Sequence, residues 1–535
     1  MPESVLLHGG VVYSPADPFA TAMLVVGDRV AWVGGEGAAQ THVDSADRVV
    51  DLDGGLVTPA FVDAHVHVTE TGLADDDVDL TGCVSLADCL DRVARHARAR
   101  SGTGEPVLGH GWDERDWPEA RPPTRAELDR AVGAVPAYLS RADAHSAVVS
   151  TGLLEALPDI SRAPGYSDGL VCREAHHLAR RVTRDALTPD RRRALQRATL
   201  RRAATLGIGA VHEIAAPHIA GSDDLRGLLA LQDSEDGPDV VGYWGATGAG
   251  VQLAGELGCA GAAGDLNLDG SLGSRTARLS SPYADAPGER GYLYVDVDEA
   301  TEHVVACTRA GLQAGFHCIG DEAVRVAVEA MGRAAERVGL NAVIAARHRL
   351  DHVEMITPDL ISEMARLSVV ASIQPRFDEF WGGADGMYAA RVGAERARMM
   401  NPFASMARDG VALALGSDSP VTPLGGWEAV RAAALHRTPE HRLTARAAFA
   451  AATRGGWRAA RLDDAGVLAP GMLATYAVWD VPGDLVVTAP DERVAAWSTD
   501  PRSGVPGLPE LAADADLPTC VRTVVRGRTV FERDC

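Results

Sequence analysis

The spacing of apolar and polar positions along the chain changes character twice. Residues 1–56 carry short apolar runs, SVLLHGGVVYSP, AMLVVGDRVAWVGG and RVVDLDGG, broken by Gly-Gly and Gly-Asp steps. That is the pattern of short strands joined by tight turns. Residues 470–535 repeat it with LATYAVWDV and CVRTVVRGRTVFERD. In between, apolar runs alternate with alanine- and arginine-rich stretches of helical period, such as DEAVRVAVEAMGRAAERVG (321–339). Eight runs read as strands: 61–68, 207–215, 239–246, 264–270, 314–320, 349–355, 369–375 and 411–418.

Strand–helix alternation of this kind builds a parallel sheet that closes on itself. The expected fold class is α/β: a (β/α)8 TIM barrel over residues 57–469, with a small β-sandwich domain assembled from both chain termini, 1–56 and 470–535. The interval between the first two strands is too long for one βα connection. Residues 70–190 therefore form an insertion with structure of its own, including the Trp-rich stretch GHGWDERDWPEARPPTR. Insertions at a barrel mouth form lids and pockets.

Five residues of metal-ligand type fall near the C-terminal ends of these strands. His65 and His67 make an HxH pair, and residues i and i+2 of a strand share a face, so both imidazoles can meet one ion. His317 in AGFHCIG, His352 in RLDHVEM and Asp418 in VALALGSD occupy matching positions later in the chain. Strand ends of a barrel converge on its top face, where catalytic groups gather. Around them, His145, Asp113 and Arg376 are candidate substrate contacts, and His212 and Glu213 are candidate partners that orient a ligand imidazole. Trp112, Trp117, Phe380 and Trp381 are candidates for an apolar pocket wall. Cys318 follows His317 and, by strand alternation, points into the core.

The motifs TPAFVDAHVH, GWDERDWPEARPPTRAELD, SRADAHSA, LDGSLGSRTA, FHCIGDEAV, HRLDHVE and GSDSPV, taken in order, resemble those of the amidohydrolase superfamily. The fit is to its amidohydrolase family 3 branch, which includes N-substituted formamide deformylases. The resemblance implies metal ligands at His65, His67, His317, His352 and Asp418. It also implies a hydrolase acting on carbon–nitrogen bonds other than peptide bonds (EC 3.5), with catalytic roles for Asp418, His352 and His317. The alternatives are a mononuclear deaminase of an aromatic amidine-type substrate and a non-catalytic metal-binding barrel.

Composition matters at one point of this resemblance. Many relatives bridge two metals with a carboxylated lysine near the start of strand four, but all 51 basic residues here are arginine. Asp265 stands at the lysine's place in GDLNLDG, and its shorter side chain would need a large backbone shift to reach the same ions. The expectation is one divalent ion, zinc, held by His65, His67, His317 and Asp418 with His352 near the substrate. The other possibility is a bridge from another carboxylate, Asp269 or Glu213.

The formal charge of −23 argues against nucleic acid or an anionic membrane surface as a partner, leaving a small-molecule substrate. Eight cysteines without a CxxC pair read as reduced thiols, and MPESVLLHGG lacks the form of a signal peptide, so a cytoplasmic enzyme is expected. Homo-oligomeric assembly is left open.

Overall fold

The computed structural model describes residues 2–100, 102, 105–486 and 506–533. Its centre is an eight-stranded parallel sheet whose strands follow one another in chain order. They are β1 (Phe61–Val66), β2 (Ile208–Ala215), β3 (Asp239–Trp244), β4 (Gly261–Ala262), β5 (Gln313–Cys318), β6 (Arg349–His352), β7 (Val370–Ile373) and β8 (Ala412–Leu415). Closure comes just beyond β8: Asp418 N donates to His65 O (2.7 Å) and His67 N to Ser419 O (3.0 Å). The Asp63 carboxylate adds a bond from Ser417 N (2.8 Å). Gly416 permits this approach, because a Cβ there would lie 2.6 Å from His65 N.

Seven of the expected strands agree with β1–β3 and β5–β8 to within a few residues. The fourth does not. β4 stops at Ala262, before GDLNLDG begins, and that segment then folds against the end of β5 instead of extending the strand. His317 N donates to Leu266 O (3.1 Å), and Leu268 N donates to His317 O (2.9 Å). Two glycines allow the bend. A Cβ on Gly264 would sit 1.9 Å from Ala215 O, and one on Gly245 would sit 2.8 Å from Asp265 N. A carbon cannot approach backbone that closely, so only glycine lets this turn press against the ends of β2 and β3.

Both chain ends contribute to a β-sandwich. One sheet holds Ser4–His8, Ala22–Val26, Arg29–Gly34 and Arg48–Asp51. The facing sheet joins Val11–Val12 and Leu56–Pro59 to Tyr476–Asp480, Thr519–Val525 and Arg528–Glu532. Leu7, Met23 and Val25 from the first pack against Val57, Tyr476, Val478 and Val524 from the second. Apolar alternation on two facing sheets produces this shared core.

The chain between β1 and β2 carries a six-stranded sheet between Val78 and Cys172. Its own core includes Leu80, Trp112, Trp117 and Leu139. Trp112 Nε1 donates to Leu139 O (2.8 Å) and Trp117 Nε1 to Cys83 O (2.7 Å), so these two tryptophans are packing groups rather than pocket walls. Helix α1 (Arg173–Asp185) then crosses back toward the barrel mouth. Its buried residues include His176, Arg180 and Arg184, spaced by one turn and therefore on one face.

The seven cysteines among the described residues are free, with Cys318 buried as expected; Cys535 lies outside them. Among the described residues, no helix is long and apolar enough to cross a membrane.

Replacing Gly264 by alanine forces the bend after β4 apart. The expected cost is about 1–3 kcal/mol, the usual range for overpacking. Thermal melts should show a clear loss relative to Gly255→Ala, whose Cβ would meet open space.

Candidate metal centre

Inside the barrel, below its mouth, is a buried chain of charge. Arg349 is 0% exposed, a severe placement for a guanidinium unless every donor is matched. Its Nη2 donates to Asp351 Oδ1 (2.5 Å) and to Ala64 O (2.8 Å), and its Nε donates to Asp351 Oδ2 (3.2 Å). Its face lies 4.6 Å from the Tyr243 ring centroid. Asp351 Oδ1 in turn accepts from His65 Nδ1 (2.9 Å). Burial alone would raise the Asp351 carboxyl. The Arg349 charge and the His65 bond outweigh it and hold the group well below the usual carboxylate range. With Nδ1–H committed, the His65 tautomer is fixed and only Nε2 faces the pocket.

Above this chain the expected ligands meet. His65 Nε2 lies 3.3 Å from Asp418 Oδ1, and His67 Nε2 lies 3.2 Å from the same oxygen. His317 Nδ1 lies 3.3 Å from Asp265 Oδ1. The rings of His65 and His352 are 4.9 Å apart, and those of His317 and His352 are 4.5 Å apart. Two groups have ligand atoms within 4.8 Å of one another: His65, His67 and Asp418; and His65, Asp265 and His352. His317 belongs to neither group and contributes through Asp265.

The position of Asp265, grouped with His65 and His352, answers the expectation that its short side chain needs a large backbone shift to reach the ions. The backbone shift that it would need is the bend at Gly264, which carries the carboxylate to the ligand cluster. Asp269 is corrected in the opposite sense. Its oxygens accept from Arg278 N (2.7 Å), Ile319 N (3.0 Å) and Gly320 N (2.8 Å), so it braces the loop instead of facing an ion. Glu213 likewise accepts from Val68 N (2.7 Å). His212 Nδ1 faces Arg349 Nη1 (3.2 Å) and not a ligand imidazole.

Backbone conformation aims two of the candidate ligands. His352 (φ 70°), Val353 (φ 53°) and Asp418 (φ 55°) are left-handed without being glycine. Each such residue costs about 1–3 kcal/mol and persists only where its surroundings enforce it. Strict alternation along β6 sends Arg349 and Asp351 inward and would send His352 outward; the left-handed turn brings it back to the pocket.

The donor set suits a divalent cation. Buried His65 Nε2, Asp265 Oδ1 and His352 Nδ1 make no hydrogen bond within the protein, although native interiors pair nearly all such atoms. Imidazole nitrogen with carboxylate oxygen is also the usual donor mixture for zinc. The imidazoles lean on the carboxylates. Burial opposes a charge on His65, but Asp418 and Asp351 raise it to about 10; burial likewise opposes His317, and Asp265 raises it to about 9.

Of the outer candidates, His145 joins the pocket, its ring 5.0 Å from that of His317. Burial, reinforced by His317, lowers its pKa to about 4, so it is neutral. Asp113 stands off in an outer groove, bound to Arg141 (2.8 Å) and Arg115 (2.9 Å). Phe380 and Trp381 line that groove as well. Arg376 is drawn away by Glu379 (3.0 Å) and Pro423 O (3.2 Å).

Sequence reasoning missed Asp351, Arg349, His176, His177, His218 and Arg180, although HRLDHVE and the pair His176-His177 were visible signals. The rings of His177 and His218 lie 4.3 Å apart, tilted by 31°, and line the same pocket, both kept neutral by burial.

A family model described as the amidohydrolase family matches residues 48–531. Protein LONG AFTER FAR-RED 3 of Arabidopsis thaliana is 27% identical, with 89% of this chain and 88% of that protein covered. An N-substituted formamide deformylase of Arthrobacter pascens is 33% identical over 138 residues, covering 25% of each chain. Among solved structures, an uncharacterized metal-dependent hydrolase from Pyrococcus horikoshii OT3 superposes with a TM-score of 0.72 at 26% identity. That likeness covers 90% of this chain and 98% of the other.

Asp351→Asn keeps every ligand but frees His65 to rotate and change tautomer. Partners of this kind are worth roughly 10- to 100-fold in metal affinity. Competitive chelator titration should register a loss of that size, while His65→Ala should leave no stoichiometric metal by elemental analysis.

Proposed function

The chain belongs to the amidohydrolase family, and from that premise we propose that it hydrolyses a C–N bond of a small molecule, an amide or N-substituted formamide. The observation that carries this reading is the single Asp418 oxygen poised 3.3 and 3.2 Å from the Nε2 atoms of His65 and His67. In this reading the resident ion is one zinc. His65 supports a single ion because it belongs to both ligand groups yet has one nitrogen to offer, its Nδ1 being held by Asp351. His67 and Asp418 complete one side of the site, and Asp265, His352 and His317 stand on the other.

A divalent cation supplies Lewis acidity, which lowers the pKa of water and polarises a carbonyl. The chain's own groups handle protons and position. Asp418 accepts the proton of the attacking water and returns it to the leaving nitrogen as the C–N bond breaks, releasing an amine and a carboxylate or formate. The burial of His352 and His145 keeps both imidazoles neutral, so either can donate a hydrogen bond to a carbonyl oxygen as charge develops there. Walls from the insertion, including Ala144 and His177, restrict water around the reacting bond. The sequence match to the formamide deformylase of Arthrobacter pascens supports the formamide class.

Zinc-loaded protein assayed against a panel of N-substituted formamides and amides should release amine together with formate or carboxylate. Ammonia release from aromatic amidines alone would replace this reading with deamination. Asp418→Asn should lose about 10²–10⁴-fold in kcat, the usual worth of a positioned acid–base group. Full turnover by that variant at matched metal content would overturn the role given to Asp418.

A further inference from the structure

Among the described residues, the inner pocket is lined by a cation with no full counter-charge. Arg180, on the barrel-facing side of α1, is 8% exposed. The carboxylate nearest to it is Glu70, and Glu70 is already taken. Arg184 grips both Glu70 oxygens, Nε to Oε1 at 2.7 Å and Nη2 to Oε2 at 2.5 Å. Arg180 Nε remains 3.8 Å from Glu70 Oε2, beyond hydrogen-bond reach, and buried without a partner. Two guanidinium groups thus share one carboxylate, leaving a positive charge in excess.

Two carboxylates of the pocket face other groups: Asp265 Oδ1 lies 3.3 Å from His317 Nδ1, and Asp418 Oδ1 lies 3.3 and 3.2 Å from His65 Nε2 and His67 Nε2. His176, His177 and His218 are held neutral, by burial first and with Arg180 itself contributing. Asp143, the third acid lining the pocket, turns its Oδ2 to Ser271 (2.5 Å), Ser274 (2.6 Å) and Arg141 (3.5 Å); its Oδ1 is buried without a hydrogen bond, and among the described residues no ion pair joins it to Arg180. Arg180 also borders both cavities, as do Ala144, Pro420 and Val421. It lines the inner pocket together with His67, His317, His352 and Asp418, and it lines the outer groove as well, at the passage between the two. A buried guanidinium lacking acceptors is costly, and a planar carboxylate is the group that matches its donors two at a time.

We propose that Arg180 is the specificity-determining anchor for a carboxylate on the substrate, so that the preferred substrates are N-acyl or N-formyl compounds bearing an acidic substituent beside the scissile C–N bond. Glu70 and Arg184 are positioning residues: their bidentate pair holds α1 against the barrel and keeps Glu70 from neutralising Arg180. This inference rests on the C–N hydrolase reading for its substrate class, but the charge argument for Arg180 stands apart from it.

The test pairs probes that differ only in the carboxylate. Zinc-loaded wild type, Arg180→Gln and Arg180→Lys are compared on N-formylalanine and N-formylethylamine by kcat/KM. Their folded state is checked by thermal melting. The same proteins are titrated calorimetrically with N-methanesulfonylalanine and N-ethylmethanesulfonamide, which resist hydrolysis. The expected result is a preference for the anionic member of each pair of about 10- to 100-fold in wild type, as for a hydrogen bond to a charged group. It should fall to near one in Arg180→Gln and be partly kept in Arg180→Lys. Absence of the preference in wild type, or its survival in folded Arg180→Gln, overturns the proposal. If neither formamide is turned over but the sulfonamide preference behaves as described, the anchor stands and the reaction assigned above fails.

Discussion

The site depends on a charge relay buried in the middle of the barrel. Arg349 has no water to solvate it, so it must be matched by Asp351, Ala64 O and the face of Tyr243. Removing one member of a buried pair leaves a bare charge at a cost of about 3–5 kcal/mol. That penalty makes the arrangement rigid, and the rigidity reaches the surface of the pocket through His65. Asp351 is at once the counter-ion of Arg349 and the acceptor for His65 Nδ1, so the charge balance of the core and the orientation of His65 are one problem with one solution.

A similar coupling closes the barrel. Asp63, Gly416 and the backbone of Asp418 tie β1 to the segment after β8. The same contacts bring Asp418 over the HxH pair. Fold closure and the placement of Asp418 are therefore inseparable, and the left-handed conformation of Asp418 is held by a joint that the barrel needs in any case. Chemistry is built here from parts whose positions are already dictated by stability, which is how a loop residue acquires the precision of a strand.

The insertion contributes the asymmetry. The barrel alone supplies a cluster of imidazoles and carboxylates open at the top. The α1 helix adds His176, His177, Arg180 and Arg184 from one side, and its charges are arranged so that Glu70 satisfies Arg184 and leaves Arg180 in excess. Family membership fixes the hydrolytic apparatus, whereas a helix from outside the barrel repeat sets the electrostatic character of the entrance.

Much of this was written into local patterns. Period-two alternation placed His65 and His67 on one face and Cys318 in the core, and apolar runs of strand length located seven of eight barrel strands. The β-rich ends announced a second layered unit. These features are legible because each depends on residues close in sequence. The tertiary structure decided the rest. Asp265 reaches the cluster because Gly264 and Gly245 admit a bend pressed against the ends of β2 and β3, a contact between segments some 20 to 50 residues apart. Asp351 carried no signal of its own in the sequence, since Arg349 and His65 meet it together only inside the closed barrel. Arg180 was one arginine among 51 until Glu70 was seen to belong to Arg184. Alternation and periodicity state which way a side chain points. Who waits there, and whether its charge is already spent, depends on distances that exist only after the chain has folded.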